Sequence, residues 1–178
     1  MLKKLAVLFL GVVVPLLAFA DDSLVKFKGG IGVIPVSSGV VPQGTQPLTA
    51  DSVNRNFVRG IVPPPGQPWV IADLRADVKT DGSIEVKGRG LLLAGNAPGT
   101  NANASVFATL ICGAAAPFTL LSTDTAGVRL AANGDFRIED RLDGFPPNPC
   151  LAPILLIRTA GAGQAWFAAG IPDLPGDD

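Results

Sequence analysis

Carboxylates are the side chains in this sequence that come closest to supporting acid–base chemistry, because the chain contains no histidine. Ser-His-Asp triads, Cys-His pairs and histidine-ligated metal sites are therefore excluded. Two carboxylates held a few ångströms apart can hydrolyse a glycosidic bond. Glu85 and Glu139, with neighbouring aspartates, are the candidates for such a pair. A carboxylate-based extracellular hydrolase is thus one alternative function for this chain.

The sequence around these carboxylates favours ion pairs over catalysis. Asp73, Asp77 and Glu85 alternate with lysines and arginines along segments whose other residues are apolar, which is the pattern of strands with one wet face. Exposed ion pairs of this kind each contribute little to stability. The same interpretation applies to the later charged cluster of Glu139, Asp140, Arg141 and Asp143. We predict no catalytic residue.

Metal and nucleophile sites are also not expected. Calcium needs several converging oxygen ligands, but the acidic and amide residues of 133–143 alternate between opposite faces of a predicted strand. The hydroxyl groups that could act as nucleophiles have no base to activate them; these are Ser37, Ser38, Ser122 and Thr123. We therefore predict no metal and no cofactor.

The first twenty residues have the pattern of a secretory signal. Two lysines precede an uncharged, mostly apolar stretch over residues 5–19, and the small side chains of Ala18 and Ala20 then stand just before Asp21. The apolar stretch is shorter than the ~20 residues that a spanning helix needs. We expect cleavage between Ala20 and Asp21, a secreted protein (extracellular or periplasmic), and no membrane association after the signal is removed.

Cys112 and Cys150 are the two cysteines of the chain, and export makes a disulfide between them the default expectation. The disulfide would stabilise the fold by about 4 kcal/mol, because it closes a loop and so lowers the entropy of the unfolded chain. The spacing does not match the C-x-x-C pattern of redox sites.

Charge and aromatic content limit the partners. The net charge is −1, and −3 after signal removal, with no run of lysine or arginine, so no nucleic acid is expected. Trp69 and Trp166 could line a groove, although core packing is the favoured interpretation. Asn103 begins an Asn-Ala-Ser acceptor for N-glycosylation in a predicted loop. An extracellular protein or glycan is the class of partner left open.

The 21 glycines and 16 prolines favour short strands and tight turns over helices. We predict an all-β fold, an antiparallel β-sandwich of about eight or nine short strands, with a closed or partly open β-barrel as the alternative. The expected organisation is a signal peptide (1–20), an extended Gly/Pro/Ser-rich segment (21–56), the β domain (57–172) and an acidic tail (173–178).

Two Asx-Gly turns predict two hairpins. A three-residue loop over residues 80–82 pairs Val78 with Ile84 and Asp73 with Arg89, keeping apolar residues on one face. The same rule applied around Asn133-Gly134 pairs Leu130 with Phe136 and Val128 with Ile138. Further strands are predicted over residues 105–112, 118–122, 154–159 and 164–171. We expect any binding surface on the loops over residues 63–68, 95–103 and 144–149.

The order of these segments resembles uncharacterised secreted β-rich proteins of bacteria and some fungi. The resemblance covers residues 57–171 and rests on FVRGIVPPPGQPWVI, DGSIEVKGRGLLL, a cysteine strand, NGDFRIED, and CLAPILLIR ending in WFAAGI. It implies a shared fold and no known activity or catalytic residue. The expected function is a secreted, non-catalytic binding or structural protein whose ligand is unknown, with a small β-barrel carrying an apolar ligand as a further alternative to the hydrolase.

Overall fold

Alternation of apolar and polar residues folds the chain into antiparallel strands. The computed structural model describes residues 22–35 and 56–173, so the predicted cleavage site at Ala20 and Asp21, Ser37 and Ser38 lie outside the described residues. Within that part the chain forms eleven strands and no helix. The strands are β1 Ser23–Gly32, β2 Trp69–Val70, β3 Asp73–Lys79, β4 Ser83–Arg89, β5 Leu92–Leu93, β6 Ser105–Cys112, β7 Thr119–Ser122, β8 Val128–Arg129, β9 Phe136–Arg141, β10 Ile154–Thr159 and β11 Trp166–Pro172.

Nine of these strands form one antiparallel sheet that curls until it is nearly a closed barrel. The strand order is β7-β6-β10-β11-β1-β3-β4-β9, β8 also pairs with β6, and β2 and β5 form a small second sheet. The ends of the large sheet meet where the Asp143 amide donates to the Ser122 carbonyl at 2.9 Å and the Asp124 amide donates to the Asp140 carboxylate at 2.9 Å. The all-β prediction is confirmed, and the architecture is the barrel alternative. No helix in the described ranges has the length and apolarity needed to cross a membrane.

Strand β1 comes from the segment that the sequence analysis set outside the β domain. It is extended, as expected, but it lies in the middle of the large sheet between β11 and β3. Phe27 is buried between exposed Lys26 and Lys28 and lies opposite Ala76 of β3. The glycines of this strand allow close packing, since a Cβ on Gly32 would lie 2.1 Å from the Trp69 carbonyl oxygen. A boundary at residue 57 therefore omits a central strand.

The first predicted hairpin is confirmed. Val78 pairs with Ile84 and Asp73 pairs with Arg89, as the three-residue loop requires. Gly82 closes the turn with a φ of 86°, a conformation that glycine adopts without steric cost.

The second hairpin forms its turn but not its strand pairs. Gly134 has a φ of 82° and its amide donates to Ala131, matching the first turn. The two arms then separate: Val128 pairs with Val106 of β6, whereas Ile138 pairs with Val86 of β4. The predicted Val128–Ile138 pair is therefore wrong. The arms part because each pairs with a different strand: β8 takes the part of the β6 edge that β7 leaves open, and β9 takes the free edge of β4.

A crossing segment, residues 56–68, contacts the start of β11 and the residues just before β10 and β7. The Trp166 amide of β11 donates to the Pro63 carbonyl at 3.0 Å. Arg59 donates to the Ala152 carbonyl just before β10 and lies 5.0 Å from the ring centre of Phe118. Strand β6 is buried on both of its faces from its second residue onward.

The predicted disulfide is present. Cys112, at the end of β6, bonds to Cys150 in the loop before β10, with their Cα atoms 5.1 Å apart. The bond is compatible with an oxidising compartment, and it ties together two strands that are neighbours in the sheet.

Candidate functional site

The outer side of β1, β3, β4 and β9 forms a charged face. The inward residues of these strands are apolar and buried, for example Leu74, Val86 and Ile138. The alternate residues point outward and are nearly all charged, so eight of the eleven lysines and arginines in the described ranges lie here. They are Lys26, Lys28, Arg75, Lys79, Lys87, Arg89, Arg137 and Arg141.

Strand register places four cations in one line across this face. Lys28 lies opposite Arg75, Arg75 opposite Lys87, and Lys87 opposite Arg137. We call these four residues the cation row. With neighbouring strands about 4.8 Å apart, the row is roughly 14 Å long. The side chains of Arg75, Lys87 and Arg137 are 68%, 56% and 57% exposed, so their charged ends reach solvent.

A second line, which we call the carboxylate row, runs beside the first. Asp77 lies opposite Glu85, and Glu85 opposite Glu139. Ion pairs connect the two rows: Lys87 Nζ lies 2.7 Å and Arg137 Nη2 3.0 Å from Oε1 of Glu85, and Arg137 also pairs with Glu139. The face is therefore two parallel rows of opposite sign, held together by contacts along and diagonal to the strands.

The contacts of the charged face shift the pKa values of three of its groups. The Lys87 ammonium, which donates to Glu85, and the nearby Arg137 lower the pKa of the Glu85 carboxyl. The Ser83 amide and hydroxyl, with Arg141, lower the pKa of Asp81. Hydrogen bonds to Asp77 and Asp22 raise the pKa of Lys79. The shifted groups are thus held in their charged forms at neutral pH.

A groove of about 380 Å³ lies over β3 between the two rows. Its charged wall residues are Lys26, Lys28, Arg75, Asp77, Glu85, Lys87 and Asp173. A second groove of about 290 Å³ continues from it, since both are lined by Asp77 and Glu85, and extends to Glu139. The surface thus has an open channel bordered by charges of both signs.

The structure brings the two candidate catalytic carboxylates together but not in a catalytic environment. Glu85 and Glu139 lie directly opposite each other, 44% and 59% exposed. A general acid needs a carboxyl whose pKa is raised by burial, whereas the pKa of Glu85 is lowered. Asp73 pairs with Arg89 at 3.1 Å, as the ion-pair interpretation expects.

The other candidates have structural contacts. The Asp135 carboxylate accepts from the Gly90 amide, and the Asp143 carboxylate accepts from the Ser122 amide. Thr123 is buried and bonds to Ala108. Across residues 22–35 and 56–173 no three carboxylates or cysteines are grouped so that they could hold a metal ion.

Both tryptophans are buried, and Trp69 stacks on Phe167 with ring centres 4.0 Å apart, so they pack in the core.

The barrel interior is filled by fully buried side chains such as Leu110, Leu155 and Ile157, which leaves the apolar-ligand alternative without support. Asn103 is exposed and its Oδ1 accepts from Arg129; its glycosylation stays a prediction.

The loops expected to carry a binding surface differ from the charged face in burial and charge, and their role in binding stays a prediction. Residues 63–68 belong to the crossing segment, where Pro64 and Pro65 are buried. Residues 95–103 and 144–149 are mostly exposed but contain no charged side chain.

The cation row itself was missed by the sequence analysis. The first hairpin already places Arg75 opposite Lys87, and the alternation of Lys26, Phe27 and Lys28 is the sequence signal for β1. Lys28 and Arg137 join the row only because β1 pairs with β3 and β9 pairs with β4, and the sequence did not reveal this strand order. Comparisons of the chain with protein-family models, curated proteins and solved structures found no match, so the charged face is interpreted from its own geometry.

Proposed function

We propose that this protein is a secreted, non-catalytic binding protein whose charged face takes an anionic ligand through the cation row. The observation that carries the proposal is the alignment of Lys28, Arg75, Lys87 and Arg137 across four neighbouring strands. Like charges placed directly opposite each other destabilise a sheet. A face with only a structural role would pair opposite signs, as Asp73 and Arg89 do.

A ligand with several negative charges would relieve this repulsion. Three of the four cations keep more than half of their side-chain surface in solvent while they contact neighbouring carboxylates. An anion can therefore reach them without breaking the ion pairs beneath. Charge-assisted hydrogen bonds from arginine to carboxylate or sulfate groups are among the stronger polar contacts in water.

A binding role fits the carboxylates better than hydrolysis does. Glu85 is held ionised by Lys87 and Arg137, so it has no proton to give to a leaving group. The export signal predicted from the sequence and the Cys112–Cys150 bond are both compatible with a location outside the reducing cytoplasm.

The test is a charge reversal at the centre of the row. Arg75→Glu should weaken binding of hexameric galacturonate, measured by calorimetry at low salt, by about tenfold, the effect of losing ~1.4 kcal/mol of attraction. Arg129→Glu on β8 is the matched control, because it makes the same charge change at an exposed arginine away from the face. It should change the affinity by less than about twofold, since distant exposed charges are screened.

Two results would overturn the proposal. Equal losses in the two variants would show attraction to net charge rather than to a site. An unmodified protein that binds no anion at low salt would show that the row is not a binding surface.

A further inference from the structure

We infer that the ligand of the charged face is an acidic polysaccharide that lies across the strands, an inference that rests on the proposed function. The cation row and the carboxylate row run side by side, two residues or about 7 Å apart along the strands. A ligand in the groove over β3 meets members of both rows. The continuation of the groove toward Glu139 is lined mainly by carboxylates, together with Lys79.

The carboxylate row selects for a ligand that also carries hydroxyl groups. Carboxylates accept hydrogen bonds and repel other anions, so Asp77, Glu85 and Glu139 oppose a polyanion that has no donors. Sugar hydroxyls are donors, and an ionised carboxylate has about four acceptor positions. Both cations that contact Glu85 do so at Oε1, so this carboxylate keeps acceptor capacity for a ligand. A polymer of uronic acids or sulfated sugars supplies negative groups and hydroxyl donors together.

The length of the row favours a polymer over a single sugar acid. Four cations spread over roughly 14 Å can each meet a separate negative group of one chain. Linked groups bind more tightly than separate ones, because the second contact is intramolecular once the first has formed. Affinity should therefore rise from the monomer to the tetramer and then level off.

Other polyanions fit the face less well. Single-stranded nucleic acids are bound by stacking their bases on aromatic side chains, but the described outward residues of β3, β4 and β9 include no aromatic ring, and Phe27 of β1 points inward. Anionic membranes attract clustered cations, and here a row of carboxylates would meet the same negative surface. Polyphosphate lacks hydroxyl donors along its chain.

The experiment compares two polyanions on two variants. Affinities for oligogalacturonate and for polyphosphate of matched charge are measured by calorimetry for the unmodified protein, Glu139→Ala and Asp143→Asn. Glu139→Ala removes a carboxylate from the row, while Asp143→Asn makes the same charge change in the loop after β9. We expect oligogalacturonate to bind about tenfold more tightly than polyphosphate. Glu139→Ala should strengthen polyphosphate binding and weaken oligogalacturonate binding.

The outcomes separate this inference from the proposed function. If both polyanions bind equally and Glu139→Ala strengthens both, the carboxylate row is only a repulsive element and the polysaccharide inference fails, while anion binding stands. If single-stranded DNA binds more tightly than oligogalacturonate, the ligand class is wrong. If neither polyanion binds, or Arg75→Glu has no effect on either, the proposed function fails as well.

Discussion

Replacing Gly88 by alanine tests how the strands beneath the charged face are held in register. Gly88 of β4 lies opposite Phe136 of β9, and the phenylalanine ring covers the glycine. A Cβ at position 88 would lie 2.1 Å from Cε1 and 2.2 Å from Cζ of that ring. These distances are far shorter than carbon–carbon contact, and Phe136 is buried, so the ring has to move or the strands have to separate.

The expected cost follows from two opposing effects. Extra carbon in a packed core costs about 1–3 kcal/mol, and an overlap this severe belongs at the upper end. Alanine in a strand recovers about 0.5–1 kcal/mol relative to glycine. Gly88→Ala should therefore lower the free energy of unfolding by about 2 kcal/mol. At about 4 °C per kcal/mol for a domain of this size, Tm should fall by on the order of 8 °C.

Urea denaturation followed by tryptophan fluorescence measures this change, because Trp69 and Trp166 are both buried. Gly66→Ala is the matched control: a Cβ there meets no atom within 4 Å, and the substitution should be neutral or slightly stabilising. Phe136→Leu should cost about 1 kcal/mol by itself. It should also rescue Gly88→Ala, because leucine lacks the two ring atoms closest to the new methyl group. A neutral Gly88→Ala, or costs that add in the double variant, would refute this account of the register.

Two further predictions concern the charges of the outer face. Exchanging the charges of β9 with Arg137→Glu and Glu139→Arg makes both of its cross-strand pairs with β4 opposite in sign at constant net charge. Tm should rise by a few degrees, and oligogalacturonate binding should weaken by about tenfold because the cation row loses one member. A lower Tm with unchanged binding would contradict the roles given to the cation row and the carboxylate row. Stability should also fall as the pH drops below about 4.3, the pKa of a free glutamate. Folding lowers the pKa values of Glu85 and Asp81, so at acidic pH the unfolded chain binds protons at these carboxyls more readily than the folded protein does. Urea midpoints between pH 6 and 3 measure the slope, which Glu85→Gln with Asp81→Asn should flatten; an unchanged slope in that variant would place the effect elsewhere.

The first hairpin could be predicted because all of its information is local. The Thr80-Asp81-Gly82 turn and the alternation on both arms fix the pairs of β3 with β4. The disulfide could be predicted because there were two cysteines to choose from.

The second hairpin could not be predicted in the same way, because its arms respond to strands far away in sequence. Val128 is held by β6 and Ile138 by β4, and each of these strands is second from one end of the curled sheet. A turn signal reports the conformation of a few residues and carries no information about which edge each arm will reach. The cation row has the same origin, since Lys28 is 47 residues from Arg75 in sequence and opposite to it in space.

Packing, rather than charge pairing, decides the register of β9 against β4. Sliding β9 by two residues would place Arg137 opposite Glu85 and would keep the apolar residues facing inward. Electrostatics alone would favour that arrangement, because it removes the Lys87–Arg137 alignment. It would also take the Phe136 ring off Gly88, the position without a side chain that receives it. The slide would instead press the Phe136 ring against the buried side chain of Val86. Extra carbon in a packed core costs about 1–3 kcal/mol, more than an exposed charge pair contributes. The core therefore holds four cations in line, and the repulsion among them is the feature that an anionic ligand can exploit.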